Sequence, residues 1–109
     1  MSTQRKHLRY DFEQDVELAF QDGANHSGHL VNFSLGGAFV NVDPMPEFGS
    51  KVLLRIELPG IPKTCEIPSL VRWNKAGNGT GIQFEYTRPI EVWALSKLIR
   101  KLKGDAPEP

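Results

Sequence analysis

The sequence is short of several things at once. Among its 109 residues there is one cysteine, Cys65, so an intramolecular disulfide and a cysteine-rich zinc site are both excluded. No apolar run approaches the roughly 20 residues that a membrane-spanning helix needs. The opening MSTQRKHLRYDF has no apolar core of the signal-peptide kind. A soluble, cytoplasmic protein without membrane insertion is expected. Net charge is missing too: 13 Lys and Arg balance 13 Asp and Glu, and the isoelectric point is near 6.8. A protein that coats a nucleic-acid backbone has a broad basic face and a high isoelectric point, so neither DNA nor RNA is expected as a partner.

The charges that are present are unevenly spread. Arg5, Lys6 and Arg9 crowd the start, and Lys97, Arg100, Lys101 and Lys103 crowd the end. Residues 10–96 hold six cations against eleven carboxylates. Two local basic segments suit one small bound anion better than a long polyanion.

Period-two alternation then repeats along the chain. DFEQDVELAF places Phe12, Val16, Leu18 and Phe20 on one face, and QDGANHSG reads as a turn. HLVNFS is a second strand with Val31 and Phe33 inward, and AFVNV is a third after the LGG break. SKVLLRIELP carries Val52, Leu54, Ile56 and Leu58 in strict alternation. TCEIPSLVRWN is a fifth strand, expected to be bulged or on an edge at Pro68, which cannot donate a ladder hydrogen bond. KAGNG is a hairpin loop and TGIQFEY the sixth strand. The period then changes. RPIEVWALSKLIRKLKG spaces Val92, Leu95, Leu98, Ile99 and Leu102 as a helix, with Pro89 in its first turn, Gly104 as its stop, and Trp93 and Ile90 off the apolar stripe. Six short strands and one helix predict an all-β fold: a six-stranded antiparallel β-barrel with a C-terminal α-helix packed outside it. Residues 1–11 form a mobile N-terminal arm, 12–103 the barrel with its helix, and 104–109 a disordered tail.

Few segments carry chemistry. Ser34 in NFSLGG lacks the glycine that a nucleophile elbow needs before it, because Asn32 stands there. A tight turn explains the glycines through positive φ but leaves the polar pair. Asn32 and Ser34, two apart, are expected side by side on the face away from Phe33, where they can meet a base edge or serve as plain turn residues. HSGH offers two zinc ligands with no third in reach, so His26 and His29 are read as solvated. GNGTG is followed by no helix and no Lys-Ser/Thr pair, and reads as a hairpin rather than a phosphate loop. Gly81 inside the sixth strand marks a bulge or a close backbone approach. No nucleophile with its base, acid/base pair or metal cluster is evident, so no enzyme and no cofactor are expected.

RKHLR, residues 5–9, is weak alone, since R-x-x-x-R arises by chance at many solvated termini. Followed by Asn32-x-Ser34-x-x-Gly37, it resembles the PilZ domain family, whose members bind the bacterial messenger cyclic di-GMP through R-x-x-x-R and [D/N]-x-S-x-x-G. SGHLVNFSLGGAFV, FGSKVLLRIELP, LVRWN, GTGIQF and ALSKLIRKL look like the family's later elements, so the likeness runs from Arg5 to about Lys103. The resemblance implies that Arg5 and Arg9 contact guanine faces and phosphates, that Asn32 and Ser34 meet a guanine edge or nearby phosphate, and that Gly37 holds a turn that admits the ligand. Trp73 and Gly81 are additional candidates, Trp73 as a ring beside a base or as ordinary core. The implied function is that of a stand-alone cyclic di-GMP receptor. Its arm wraps the ligand and changes the surface offered to a downstream effector protein. Two other readings stand beside it: a nucleotide-independent adaptor for protein interaction, and a small nucleic-acid-binding barrel, which the acidic middle of the chain disfavours.

Overall fold

The computed structural model describes residues 9–75, 79–85 and 87–102. Arg5 and the rest of the expected arm through Leu8 lie outside that set, as do Gly104 and the expected tail. Six strands, β1 (Tyr10–Phe20), β2 (Asn25–Phe33), β3 (Gly37–Val42), β4 (Lys51–Ile56), β5 (Cys65–Lys75) and β6 (Gly79–Phe84), precede the helix α1 (Pro89–Leu102). All neighbours pair antiparallel in the closed order β1-β2-β3-β6-β5-β4. The seam is β1 against β4, from Glu17 opposite Arg55 to Phe20 opposite Val52.

Alternation builds the interior. Val16 and Leu18, Val40 and Val42, Val52, Leu54 and Ile56, and Ile67, Ser69 and Val71 turn inward, while the residues alternating with them are partly or fully exposed. Closure leaves no strand edge, so Pro68 is not on one. It pairs regularly with Leu53 on β4. Its carbonyl accepts from Glu85 N at 2.8 Å, just beyond the end of β6, so its missing N–H interrupts no ladder.

Three bulges break the alternation. On β1, Phe12 and Glu13 together oppose the single gap between Asn32 and Leu30. On β2, Val31 is extra against β3, since Leu30 faces Val40 and Asn32 faces Phe39. A bulge resets which way the following side chains point. Leu30 and Phe33, three residues apart, are therefore both buried and Val31 is not, contrary to the expected inward pair of Val31 and Phe33. On β5, Arg72 is extra against β6, and Arg72 and Trp73 are consecutively exposed. β2 also starts earlier than expected, with Asn25–Gly28 in the strand rather than in a turn.

Helix α1 closes onto the barrel through Ala94, Leu95 and Leu98, which join its core. Val92 and Leu102, expected on that stripe, face solvent together with Ile90 and Trp93. Glu91 takes an inward position instead. It is 1% exposed and accepts from the Arg88 backbone N at 2.8 Å and from Arg88 Nη2 at 2.7 Å. This is the returning half of a capping box, made by the third helical position, with a guanidinium neutralising the buried carboxylate.

Candidate functional site

Pairing of β1 with β2 decides where the first motif ends up. Tyr10 lies opposite Phe33 and Asp11 opposite Asn32, so Arg9 comes level with the start of the β2–β3 turn. Its Nη1 donates to Asn32 Oδ1 at 2.9 Å. The two motifs, 23 positions apart, thus touch.

The turn itself is built by the second motif. Ser34 N donates to the Gly37 carbonyl at 2.8 Å, and Ser34 Oγ accepts from Gly36 N at 3.0 Å. A serine bonding its own backbone two residues on stabilises a tight turn. The hydroxyl keeps its proton to donate elsewhere. Ser34 lies just past the end of β2 and is buried, so it does not share a strand face with Asn32 as expected. Nor do these glycines supply positive φ; the positive-φ glycines of the described chain are Gly23, Gly49 and Gly60. Gly37 is needed for another reason. A Cβ there would collide with the backbone carbonyl of Ile82 and come within 3.3 Å of Gln83 Cα on β6. It lets β3 and β6 approach closely beneath the turn.

A cleft of about 180 Å³ opens beside this turn, bounded by Arg9, Ser34, Gly36 and Gly37 on one side and by Arg72, Trp73, Gly81, Ile82 and Gln83 on the other. Among the described residues, two guanidinium groups and no carboxylate line it, so their field favours an anion. Larger hollows lie elsewhere. One of about 540 Å³ is bounded by Asp15, His29 and Asp43, and one of about 600 Å³ by Pro62, Pro68, Ile90 and Glu91. Size does not decide the assignment: the first carries carboxylates that would repel a phosphate, and the second is mainly apolar.

The structure thus brings together Arg9, Asn32, Ser34, Gly37, Trp73 and Gly81. Trp73 is 45% exposed on the barrel's outer surface, not part of its core. Arg72 and Gln83 also border the cleft, and the sequence did not single them out. Strict alternation sends Arg72 and Trp73 to opposite faces; the bulge at Arg72 turns both outward. A cation beside a tryptophan was the one visible signal. Among the described residues no group of His, Cys, Asp and Glu is placed to hold a metal ion, and no helix is long and apolar enough to cross a membrane.

Comparison with known proteins agrees with this fold. The PilZ domain profile matches residues 3–104. Among solved structures, the PilZ domain of CeSA from a cellulose-synthesizing bacterium superposes with a TM-score of 0.67 at 20% identity, covering 88% of this chain and 98% of that one. The Bacillus subtilis inhibitor of motility MotI/DgrA gives 0.74 at 21% identity, over 97% of this chain and 55% of that one. The PilZ domain of YcgR from Escherichia coli, solved with c-di-GMP, gives 0.68 at 13% identity, over 94% of each chain. No curated protein matches significantly. With nearly its whole length matched and a closed six-stranded barrel capped by one helix, the chain belongs to the PilZ domain family.

Proposed function

We propose that this chain is a receptor for cyclic di-GMP, which it binds in the cleft between the β2–β3 turn and the β5–β6 wall. The observation that carries the reading is the hydrogen bond from Arg9 to Asn32, which joins the two family motifs at a cleft lined by a second arginine and a tryptophan. The ligand has two guanines and two phosphates. Guanidinium forks match phosphate oxygens and the O6/N7 edge of guanine, and the Arg9 and Arg72 side chains supply two. Ser34 keeps a proton to donate, Asn32 orients Arg9 from behind and offers an amide edge, and Trp73 presents a ring on which a base can stack. The family match and the structural likeness to a PilZ domain solved with c-di-GMP support the same ligand.

Arg5 then acts from the N-terminal arm, which folds over the bound nucleotide and alters the surface beside the cleft. In the bacterial cytoplasm the receptor passes its signal to a downstream protein that reads this surface. It is a binding protein and not an enzyme. A nucleotide-independent adaptor is the second reading, and the exposed Ile90 and Trp93 on α1 favour it.

Calorimetric titration of cyclic di-GMP into the wild type and into Arg5→Ala and Arg9→Ala variants separates the two. Micromolar or tighter binding, lost in both variants with the fold intact, is expected. No heat from a folded wild type would sink the receptor reading and leave the adaptor.

A further inference from the structure

Trp73 and Phe39 come from strands that are not neighbours. β6 runs between them, and both residues sit directly opposite Gly81 on it. Strands two places apart are separated by about 9–10 Å, yet the two ring centroids are 5.3 Å apart with planes tilted by 34°. The rings meet because β6 offers no side chain beneath them. A Cβ on Gly81 would lie 2.6 Å from Trp73 Nε1 and 2.7 Å from Cε2. A Cβ on Gly79 would strike the Phe39 ring, 2.9 Å from Cε2 and closer still to Cζ. Each glycine is the seat of one ring. The indole is thus pressed flat on the barrel wall, with Phe39 against it on the side of β3, and its open part borders the cleft.

We infer that Phe39 is a positioning residue for the ligand: with the Gly79 and Gly81 seats it locks Trp73 as a fixed ledge along the cleft, so that base stacking begins from an ordered ring. This inference rests on the receptor reading. Phe39 is not among the residues that line the cleft, so its effect passes through Trp73. An indole held by a tilted aromatic neighbour and a glycine floor loses little rotamer freedom on binding. An unsupported one must be ordered by the ligand at the expense of affinity.

The test uses the full chain in a Trp93→Phe background, which leaves Trp73 as the single indole of the two tryptophans. Phe39→Leu, Phe39→Tyr, Gly81→Ala and Trp73→Leu are compared with the parent, each checked for an unchanged thermal transition. Without ligand, the Trp73 indole N–H resonance should shift and broaden in Phe39→Leu and Gly81→Ala, and stay put in Phe39→Tyr. With cyclic di-GMP, Phe39→Leu and Gly81→Ala should each bind about tenfold more weakly, a loss of the size expected for one stacked base. Phe39→Tyr should bind like the parent. Adding Phe39→Leu to Trp73→Leu should cost nothing further, because a positioning residue has no effect once the group it positions is gone. Parent-like affinity in Phe39→Leu, an unmoved indole resonance, or the same loss with and without Trp73 would each overturn the inference. A parent that binds no cyclic di-GMP overturns the receptor reading itself, and that control is read before any variant.

Discussion

Single residues in this barrel act through what they exclude as much as through what they touch. Gly37 is the clearest case, because the missing Cβ is what allows β3 to lie against the Ile82 carbonyl. Gly37→Ala should destabilise the protein by about 1–3 kcal/mol, the cost of overpacking against backbone that cannot rotate away, as read from urea unfolding. A change within a few tenths of wild type would show that the strands can part there. Asn32 is a different case. Its amide accepts from Arg9 as a neutral group, so Asn32→Asp would turn the contact into an ion pair. A gain of roughly 0.5–1 kcal/mol is expected at neutral pH; since the pair lowers the new carboxyl's pKa, the gain is full above the ordinary value of about 4 and is lost as pH falls below it. No gain in thermal midpoint would mean that the charge is already screened. At this scale much was legible in advance. Arg9, Asn32, Ser34 and Gly37 stand out through the resemblance to the family's two motifs, which neither stretch carries by itself, and Gly81 by being a glycine within a strand. Arg72 and Phe39 were not legible, since their roles depend on a bulge and on a neighbour across two strands.

The elements were legible in kind and order, because alternation and helical spacing follow directly from burying one face. Their phase was not. The bulges at Val31 and Arg72 cost no visible residue type, and each shifts every side chain beyond it by one. Helix α1 shows a similar limit. Leu95 and Leu98 were read correctly as core, but buried Glu91 displaced Val92, since a carboxylate bonded to the Arg88 backbone and guanidinium can occupy an inward position. Glu91→Ala should cost about 2 kcal/mol through the lost cap and the exposed donor, and Glu91→Gln, which still accepts from the backbone, clearly less. Equal thermal midpoints for the two variants would refute the capping account. Between β1 and β2, His29 lies 3.0 Å from Glu13 through Nε2 and 3.0 Å from Asp15 through Nδ1. Only the imidazolium donates at both nitrogens. Hydrogen bonding to Glu13 first and to Asp15 second raises its pKa above 6.5. A pKa raised in the folded state gives stability that is full below the unfolded value and is lost as pH rises through the folded one. The wild type should therefore lose a small stability advantage over His29→Gln as pH climbs through that window. A difference between the two proteins that does not vary with pH would contradict this.

At the scale of the whole molecule, a closed barrel with a helix could be foreseen, since six strands without crossover helices leave few other ways to hide the edges. The circular order could not, because alternation does not say that β3 pairs with β6, and that pairing assembles the site. Arg9 comes from before β1, Ser34 from the β2–β3 turn, Gly37 from the start of β3, Arg72 and Trp73 from β5, and Gly81 from β6. A ligand in this cleft grips segments that the unfolded chain holds far apart, so it binds the native state and not the unfolded one. Mass action then makes binding a stability measurement. At a free concentration of 100 times its dissociation constant, cyclic di-GMP should add about 2.7 kcal/mol and raise the thermal midpoint by about 10 °C or more for a domain of this size. The same excess should leave an Arg9→Ala variant within a degree or two of its own ligand-free midpoint, roughly the shift left when binding is weakened a hundredfold. Raising salt should shrink the wild-type shift, because the guanidinium–phosphate attraction at an open cleft is screened over about 10 Å at 0.1 M. A shift of equal size in wild type and Arg9→Ala would place the ligand elsewhere on the barrel. A shift that ignores salt would mean that apolar stacking, not the paired arginines, carries the affinity.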